Sequence, residues 1–117
     1  MRLMGLDYGN VHVGVALSDE LGMTAYPLEV IKRKDSNKLR KTFARIEEIA
    51  REYKVDKIII GLPLNMDDSE SEISKTVIDF SENIKRRTGL PVELWDERLS
   101  TLEATDILKE AGIKVQD

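Results

Sequence analysis

Acidic residues follow three apolar segments of the chain, at positions where their carboxylates could act together. Asp7 follows the apolar segment Leu3–Leu6, the stretch GLPLNMD follows a run of isoleucines, and Asp96 with Glu97 follows the segment VELW. Burying an unpaired carboxylate costs on the order of several kcal/mol. Asp7 is therefore either a turn residue at the end of its strand or a residue that binds a ligand.

Convergence of these acids would require a counter-charge. If the strands that carry them are parallel neighbours, the acids meet at one edge of a sheet and repel one another. A divalent cation removes this repulsion, lowers the pKa of a bound water and stabilises charge at a phosphoryl group. The chain has no cysteine and one histidine, so oxygen ligands predominate and Mg²⁺ or Mn²⁺ is predicted rather than zinc. On this interpretation Asp7 is a metal ligand.

The first part of the chain predicts three strands that follow one another as a meander. The segment LMGL is apolar, Gly9 and Asn10 supply a turn that tolerates positive φ, and VHVGVALS alternates apolar with small or polar residues. His12 lies in this second strand, where we expect it to be solvated or stacked. The segment AYPLEVI predicts a third strand, and Pro27 marks it as an edge strand.

The next segments alternate helices with strands. Apolar residues keep helical spacing from Leu39 to Tyr53, with Asp35 or Ser36 as the expected cap, and VDKIIIGLP is typical of a buried parallel strand. A polar loop, NMDDSES, follows it.

The last segments predict a helix, a strand and a final helix. Helical spacing returns from Ile73 to Ile84, VELW is the next strand, and Ser100 with Glu103 forms a capping box before a helix that ends at Gly112. The predicted fold class is α/β, with a mixed sheet of a three-stranded antiparallel meander plus two parallel strands and with helices on both faces. Ligands gather at the carboxyl ends of parallel strands in such sheets.

Three blocks of sequence carry a family resemblance. The blocks GLDYGNVHVGVALSD, IIIGLPLNMD and DERLSTLEA occur in this order and spacing. From Met1 to about Gly112 the chain resembles the YqgF/RuvX family, the RuvC-like Holliday junction resolvases of the ribonuclease H-like superfamily. The resemblance implies the same mixed-sheet fold. It also implies a metal-dependent nuclease that processes the 5′ end of pre-16S ribosomal RNA, with resolution of four-way DNA junctions as the older assignment.

The resemblance also implies roles for particular acids. Asp7 corresponds to the first catalytic and metal-binding acid of the family, and Glu97 or its neighbour Asp96 corresponds to the second. We favour Glu97 as the metal ligand. Alternation along a strand places Asp96 and Glu97 on opposite faces of the sheet. The sequence does not determine which of the two faces the cleft.

Further residues of the same blocks are candidates for holding the substrate. Asn65, Arg98 and Gly9 fall at positions that could contact its phosphate backbone, Arg98 through its planar fork. A simple turn is the alternative for Asn65, and an ion pair is the alternative for Arg98.

The resemblance ends before the carboxyl terminus of similar proteins. These continue into a basic loop and a final helix with a further acid, whereas this sequence ends at IKVQD. We therefore expect a single ribonuclease H-like domain over residues 1–117. We also expect it to lack the family's carboxyl-terminal helix and third metal-binding acid.

Composition and charge indicate the cellular compartment and the classes of binding partner. The absence of cysteine, of a signal-peptide pattern and of any long apolar run predicts a cytoplasmic protein without membrane contact. The formal charge of −4 argues mildly against a general nucleic-acid coat. Two basic clusters, Lys32–Lys41 and Lys85–Arg87, are either solvated helix faces or contacts for phosphates that flank the cleavage site.

The main hypothesis is thus a nuclease whose partner is nucleic acid, either pre-rRNA or branched DNA, acting as a monomer or a homodimer. An ATPase of the actin-like type also carries an Asp before a glycine-rich hairpin, but it needs two lobes around its nucleotide. The third hypothesis is a non-catalytic nucleic-acid-binding or ribosome-assembly module with the same fold.

Overall fold

The chain folds into one sheet with helices on either side. A computed structural model of the chain describes residues 1–35, 38–62, 72–96, 104–110, 112 and 114–115. In these ranges the elements are β1 (Leu3–Tyr8), β2 (His12–Ser18), β3 (Thr24–Lys32), α1 (Arg40–Glu52), β4 (Lys57–Leu62), α2 (Glu72–Thr88), β5 (Val92–Asp96), α3 (Ala104–Glu110) and β6 (Lys114–Val115).

The sheet has the strand order β5-β4-β1-β2-β3-β6. β2 runs antiparallel to β1 and β3, while β4 is parallel to both β1 and β5. The predicted meander with two parallel strands is confirmed. The short β6 was not predicted, and it pairs in parallel with β3 only at Thr24 and Ala25. Pro27 lies beyond that pairing, beside an irregularity in the β2–β3 register, where the missing N–H of proline is tolerated.

Two apolar clusters hold the helices to the two faces of the sheet. One face packs against α1 and α2, through residues such as Leu6, Ile60, Ile46 and Phe80. The other face packs against α3, through a smaller cluster that includes Ile59 and Leu108. The alternation of side chains along β1 and β4 therefore divides each strand between the two clusters, and the predicted placement of helices on both faces is confirmed.

The predicted cap of the first helix was wrong, whereas the predicted hairpin turn is present and forms without positive φ. The cap position of α1 is Leu39, without a side-chain cap hydrogen bond, so Asp35 is not the cap, and Ser36 lies outside the described residues. Gly9 and Asn10 are not among the described residues with positive φ. The turn is instead closed by the Gly9 N–H, which donates to the His12 carbonyl at 2.8 Å.

The described ranges contain no helix that combines the length and the apolar character needed to cross a bilayer. The capping box expected at Ser100 and Glu103 falls in a range that the structure does not describe. The helix that follows it, α3, has the apolar face that the spacing predicts, with Ile107 and Leu108 buried.

Candidate active site at the carboxyl edge of the sheet

Four strands end at the same edge of the sheet. β1, β3, β4 and β5 run in one direction, because β2 is antiparallel to β1 and β3 and the remaining pairs are parallel. Their last residues are Tyr8, Lys32, Leu62 and Asp96, and β2 begins there with His12. We call this the carboxyl edge. It is the edge at which ligands bind in sheets of this kind.

Asp7 lies at the carboxyl edge on the face that α3 covers. It is the Cα partner of Gly14 across β1 and β2. A Cβ atom built on Gly14 would lie 3.7 Å from the Cβ of Asp7 and 3.8 Å from the Cβ of Ala104. Asp7 is half-buried and still within the strand, so it is not a simple turn residue. Its role as a metal ligand stays a prediction.

Asp7 lines a cavity of about 510 Å³ between the sheet and the start of α3. Gly14, Ala104 and Thr105 form part of its wall, and His12 and Glu29 are the other titratable residues that line it. The absence of a side chain at Gly14 keeps the space beside Asp7 open. This volume falls within the range of about 300–1,000 Å³ that is typical of small-molecule sites.

Glu29 is engaged by a helix on the other side of the sheet. Its two carboxylate oxygens accept hydrogen bonds from Arg45 of α1, at 2.9 Å from Nε and 2.6 Å from Nη2. This contact holds the pKa of Glu29 below its ordinary value and raises the pKa of Arg45, which also contacts Glu48. Glu29 is thus already neutralised, and it is a poor candidate for a metal ligand.

The backbone of β5 indicates which position near its end shares a face with Asp7. Asp96 is the Cα partner of Leu62, a residue that packs on the α1/α2 cluster. Trp95 packs instead on the α3 cluster, which lies on the face of Asp7. One strand, β4, separates β1 from β5, so the two strand ends lie about 10 Å apart.

Three predicted site residues lie outside the described residues: Asn65, Glu97 and Arg98. Gly9 is described, and its surroundings explain why the position needs glycine. A Cβ atom there would lie 2.8 Å from the carbonyl oxygen of His12. The Gly9 carbonyl accepts a hydrogen bond of 2.7 Å from Nη2 of Arg33, whose guanidinium lies 5.1 Å from the ring centroid of Tyr8.

The described residues at this edge supply only part of a site for an ion that prefers oxygen ligands. Among the described residues, no group of three or more metal-ligating side chains comes together. Asp7 supplies one carboxylate, in a cavity open enough to admit an ion and its waters. The remaining predicted ligand, Glu97, falls outside the described ranges, so the ligand set beyond Asp7 stays a prediction.

His12 is a potential site residue whose position the sequence-based interpretation did not predict. It was expected to be solvated or stacked. It is indeed exposed, but it lines the same cavity as Asp7. The signal for this lies in the alternation of β2, which places His12 and Gly14 on one face, together with the pairing of Gly14 with Asp7.

The chain is similar to a known family and to named relatives over nearly all of its length. Residues 1–117 match the RuvX family model, described as a Holliday junction resolvase. A protein of Lachnospira eligens named "Putative pre-16S rRNA nuclease" is 56% identical over 114 residues, which cover 97% of this chain and 81% of that protein. A protein of the same name from Agathobacter rectalis is 51% identical over 114 residues, covering 97% of this chain and 80% of that protein.

A solved structure shares the fold. The structure titled as T. thermophilus RuvC in complex with a Holliday junction substrate superposes with a TM-score of 0.64 at 15% identity, over 92% of this chain and 88% of that chain. A second T. thermophilus RuvC structure gives a TM-score of 0.63 at 14% identity, over 92% and 89% of the respective chains. At these identities the likeness concerns the fold, and the fold is the ribonuclease H-like one.

Proposed function

This chain belongs to the RuvX family, and on that premise we propose that it is a metal-dependent nuclease that hydrolyses phosphodiester bonds at the carboxyl edge of its sheet. The observation that carries the proposal is the location of Asp7. It is an acid on a central strand, half-buried, beside a glycine that leaves space, and in a cavity at the edge where this fold type binds ligands.

Asp7 and Glu97 are the residues that would hold a divalent cation, with Asp96 as the alternative to Glu97. The preference for Glu97 over Asp96 rests on the family resemblance. When bound, Mg²⁺ or Mn²⁺ supplies charge stabilisation at the phosphoryl group and activates water for attack. The cofactor assignment rests on the family and on the donor type of Asp7.

The other residues of the site orient the substrate. His12 lines the cavity beside Asp7, where its imidazole can donate a hydrogen bond to a phosphate oxygen. Gly14 admits the phosphate group close to the strand. Arg33 fixes the turn after β1 through its hydrogen bond to the Gly9 carbonyl, and thereby the strand end that carries Asp7. Asn65 and Arg98, which lie outside the residues that the structure describes, remain our proposed phosphate contacts.

We infer precursor 16S ribosomal RNA as the first substrate to test, because relatives that match 97% of this chain carry that name. A four-way DNA junction is the second, because the family model is described by that activity. A junction has approximate two-fold symmetry, so cutting it in pairs favours a homodimer, whereas trimming an RNA end requires only a monomer. Cytoplasmic action on pre-rRNA is part of this proposal.

The experiment compares the wild-type chain with Asp7→Asn on a labelled pre-16S leader RNA and on a labelled four-way DNA junction, with Mg²⁺, Mn²⁺ or a chelator. Removing a ligand carboxylate should lower the cleavage rate by at least about 100-fold, the scale on which loss of a charge-stabilising group acts. Binding of Mn²⁺, measured by electron paramagnetic resonance during a titration, should be weaker in Asp7→Asn than in the wild type.

Asp79→Asn is the matched control, because it makes the same chemical change at an exposed position on α2, on the opposite face of the sheet. It should leave both cleavage and Mn²⁺ binding unchanged. Binding of RNA without metal-dependent cleavage by the wild type would overturn the nuclease assignment and support the non-catalytic binding module. Equal loss of activity in Asp7→Asn and Asp79→Asn would contradict the special role proposed for Asp7.

A further inference from the structure

We propose that the basic cavity formed by Lys32, Arg33, Lys34, Lys38, Arg40 and Lys41 binds the phosphate backbone of the nucleic acid whose scissile bond lies at Asp7. This inference rests on the proposed function and deepens it, because it places the flanking substrate on one side of the site. The cavity has a volume of about 550 Å³ and is lined by these six cations together with Leu39.

The six cations are not used in ion pairs within the part of the chain that the structure describes. The ion pairs found there involve the cations Arg2, Arg45, Lys57 and Arg87. A protein with a formal charge of −4 thus gathers six cations around one cavity, and none of the six is in an ion pair with another described residue. Such a concentration of positive charge attracts polyanions.

The adjacent helix terminus adds to the positive potential. α1 begins at Arg40, has no acidic residue in its first turn and has no side-chain cap hydrogen bond. The first N–H groups of a helix lack intrahelical partners, and the helix dipole places partial positive charge there. Arg40 and Lys41 therefore lie where cations are unfavourable for the isolated helix, and a bound phosphate would offset both charges.

The basic cavity lies next to the cavity of Asp7 at the carboxyl edge, because one cross-strand pair contributes a residue to each. Lys32 is the Cα partner of His12 in the last pair of the β2–β3 ladder. Lys32 lines the basic cavity, while His12 lines the cavity of Asp7. Cross-strand partners have Cα atoms about 4.5–5.5 Å apart. A chain of phosphates can therefore pass from one cavity to the other along the carboxyl edge.

The distance along the edge limits which phosphates are involved. Two strand spacings separate β1 from β3, or about 10 Å. Phosphates of one strand of a duplex rise by about 3.4 Å each along the helix axis. The basic cavity should therefore contact phosphates within roughly three nucleotides of the scissile bond.

The second basic cluster, Lys85–Arg87, does not share this location. It forms the last turn of α2, which follows β4 at the carboxyl edge and returns to the opposite edge before β5 begins. There Arg87 pairs with Glu47 at 3.7 Å and lies over the ring of Phe43. The earlier expectation that both clusters contact flanking phosphates is thus narrowed to the first cluster.

The test measures binding of a fluorescent single-stranded RNA and of the same sequence as a duplex, in the Asp7→Asn background so that the probe stays intact. One triple variant carries Lys34→Gln, Lys38→Gln and Lys41→Gln. The matched control carries Arg51→Gln, Lys85→Gln and Arg86→Gln, which are exposed residues toward the opposite edge. Both triple variants remove three positive charges, so their net charges are equal.

The first triple variant should bind RNA at least about tenfold more weakly, and its slope of log affinity against log salt should fall in magnitude by about 2, since each single-strand phosphate contact contributes about 0.7. The control should change the slope by less than half as much. Equal effects of the two variants would mean that only net charge matters and would overturn the proposal.

A fluorescent poly-glutamate peptide distinguishes an acidic protein partner from nucleic acid. If the first triple variant loses the peptide but keeps RNA, the cavity serves a protein segment and the proposal is wrong. Cleavage by the otherwise wild-type chain is scored separately. Loss of RNA binding in the first variant, combined with no cleavage by the wild type, would retain the basic cavity as a nucleic-acid-binding site and reject the nuclease together with the scissile bond at Asp7.

Discussion

Glycine at positions 5 and 14 has two different physical roles on the face that carries Asp7. A Cβ atom on Gly5 would lie 2.8 Å from the carbonyl oxygen of Ala104 and 2.9 Å from Cγ of Leu108. The first of these neighbours is helix backbone, which cannot move aside cheaply. At Gly14 the nearest neighbours would be at 3.7 and 3.8 Å, which is ordinary contact. Gly5 therefore lets α3 approach the sheet, and Gly14 leaves space for a ligand.

Gly5→Ala and Gly14→Ala should separate these two roles. Gly5→Ala should destabilise the fold by about 1–3 kcal/mol, the usual cost of overpacking, because α3 must move away from β1. Gly14→Ala should leave the urea midpoint nearly unchanged while weakening Mn²⁺ binding, since its methyl group contacts Asp7. Measurement of urea unfolding and Mn²⁺ affinity for both variants checks this. Equal destabilisation by the two substitutions would contradict the proposed division.

At this level, residue type alone predicts Asp7 as a candidate, whereas the predicted residues Asn65, Glu97 and Arg98 lie outside the described residues. Asp7 was identified because an acid at the end of an apolar strand requires an explanation. His12 was not identified, because its proximity to Asp7 depends on the register that pairs Asp7 with Gly14 and on the face that His12 shares with Gly14. Register is set by several strands together and cannot be deduced from one segment.

The hairpin between β2 and β3 is organised by one half-buried acid, Asp19, at the opposite edge of the sheet. Oδ1 of Asp19 accepts a hydrogen bond from the Met23 N–H at 2.8 Å, and its Oδ2 accepts one from Oγ1 of Thr24 at 3.1 Å. The backbone closes the same turn, since the Gly22 N–H donates to the Asp19 carbonyl. These donors favour the charged carboxylate and, led by the Met23 N–H, hold the pKa of Asp19 below its ordinary value of 3.8.

This lowered pKa predicts how Asp19→Asn changes stability with pH. A carboxyl whose pKa is lower in the folded state stabilises the fold above its unfolded pKa of about 3.9. The contribution is lost as the pH falls through the folded pKa. The wild type should therefore exceed Asp19→Asn in urea midpoint at pH 7, and the difference should shrink below about pH 4.

Glu29 and Glu93 have pKa values lowered in the same direction, by Arg45 and Lys57 respectively, but they are present in both proteins and cancel in the comparison. Urea unfolding at neutral and at acidic pH, followed by circular dichroism, provides the measurement. A difference that stays constant with pH would show that the Asp19 charge contributes nothing and that the amide forms the same turn.

Helices and strands were predictable from apolar spacing, whereas their ends were less so. The stripe from Leu39 to Tyr53 marks α1, and Phe43, Ile46 and Ile49 are buried on it. The cap was misassigned because Asp35 belongs to the segment before the helix, where the Lys38 N–H donates to its carbonyl. Local cap chemistry competes with the contacts of the preceding loop, and the sequence alone does not resolve that competition.

The two faces of the sheet are held by cores of very different size. Among the described residues, sixteen buried residues form the cluster of the α1/α2 face and six form the cluster of the α3 face. α3 itself has seven residues. Elements with few buried contacts open at lower free energy than the central strands. The wall of the candidate active site formed by Ala104 and Thr105 is therefore its least stable side.

This asymmetry predicts that ligand binding at Asp7 is visible in the dynamics of α3. By hydrogen exchange, the amides of Ile107 and Leu108 should open at lower free energy than those of Leu6 and Ile60, which lie in the larger core. Saturating Mn²⁺ should slow exchange in α3 more than in β4, because an ion at Asp7 stabilises only states in which the cavity is formed. The effect should be absent in Asp7→Asn.

Uniform slowing of α3 and β4 would instead mean that metal stabilises the whole domain and that α3 does not open by itself. If bound Mn²⁺ does not slow hydrogen exchange in α3, the ion does not stabilise the cavity wall and binds elsewhere. The expected result has a functional consequence: a wall that opens independently of the central strands lets a bulky nucleic acid reach Asp7 without unfolding the sheet that positions it.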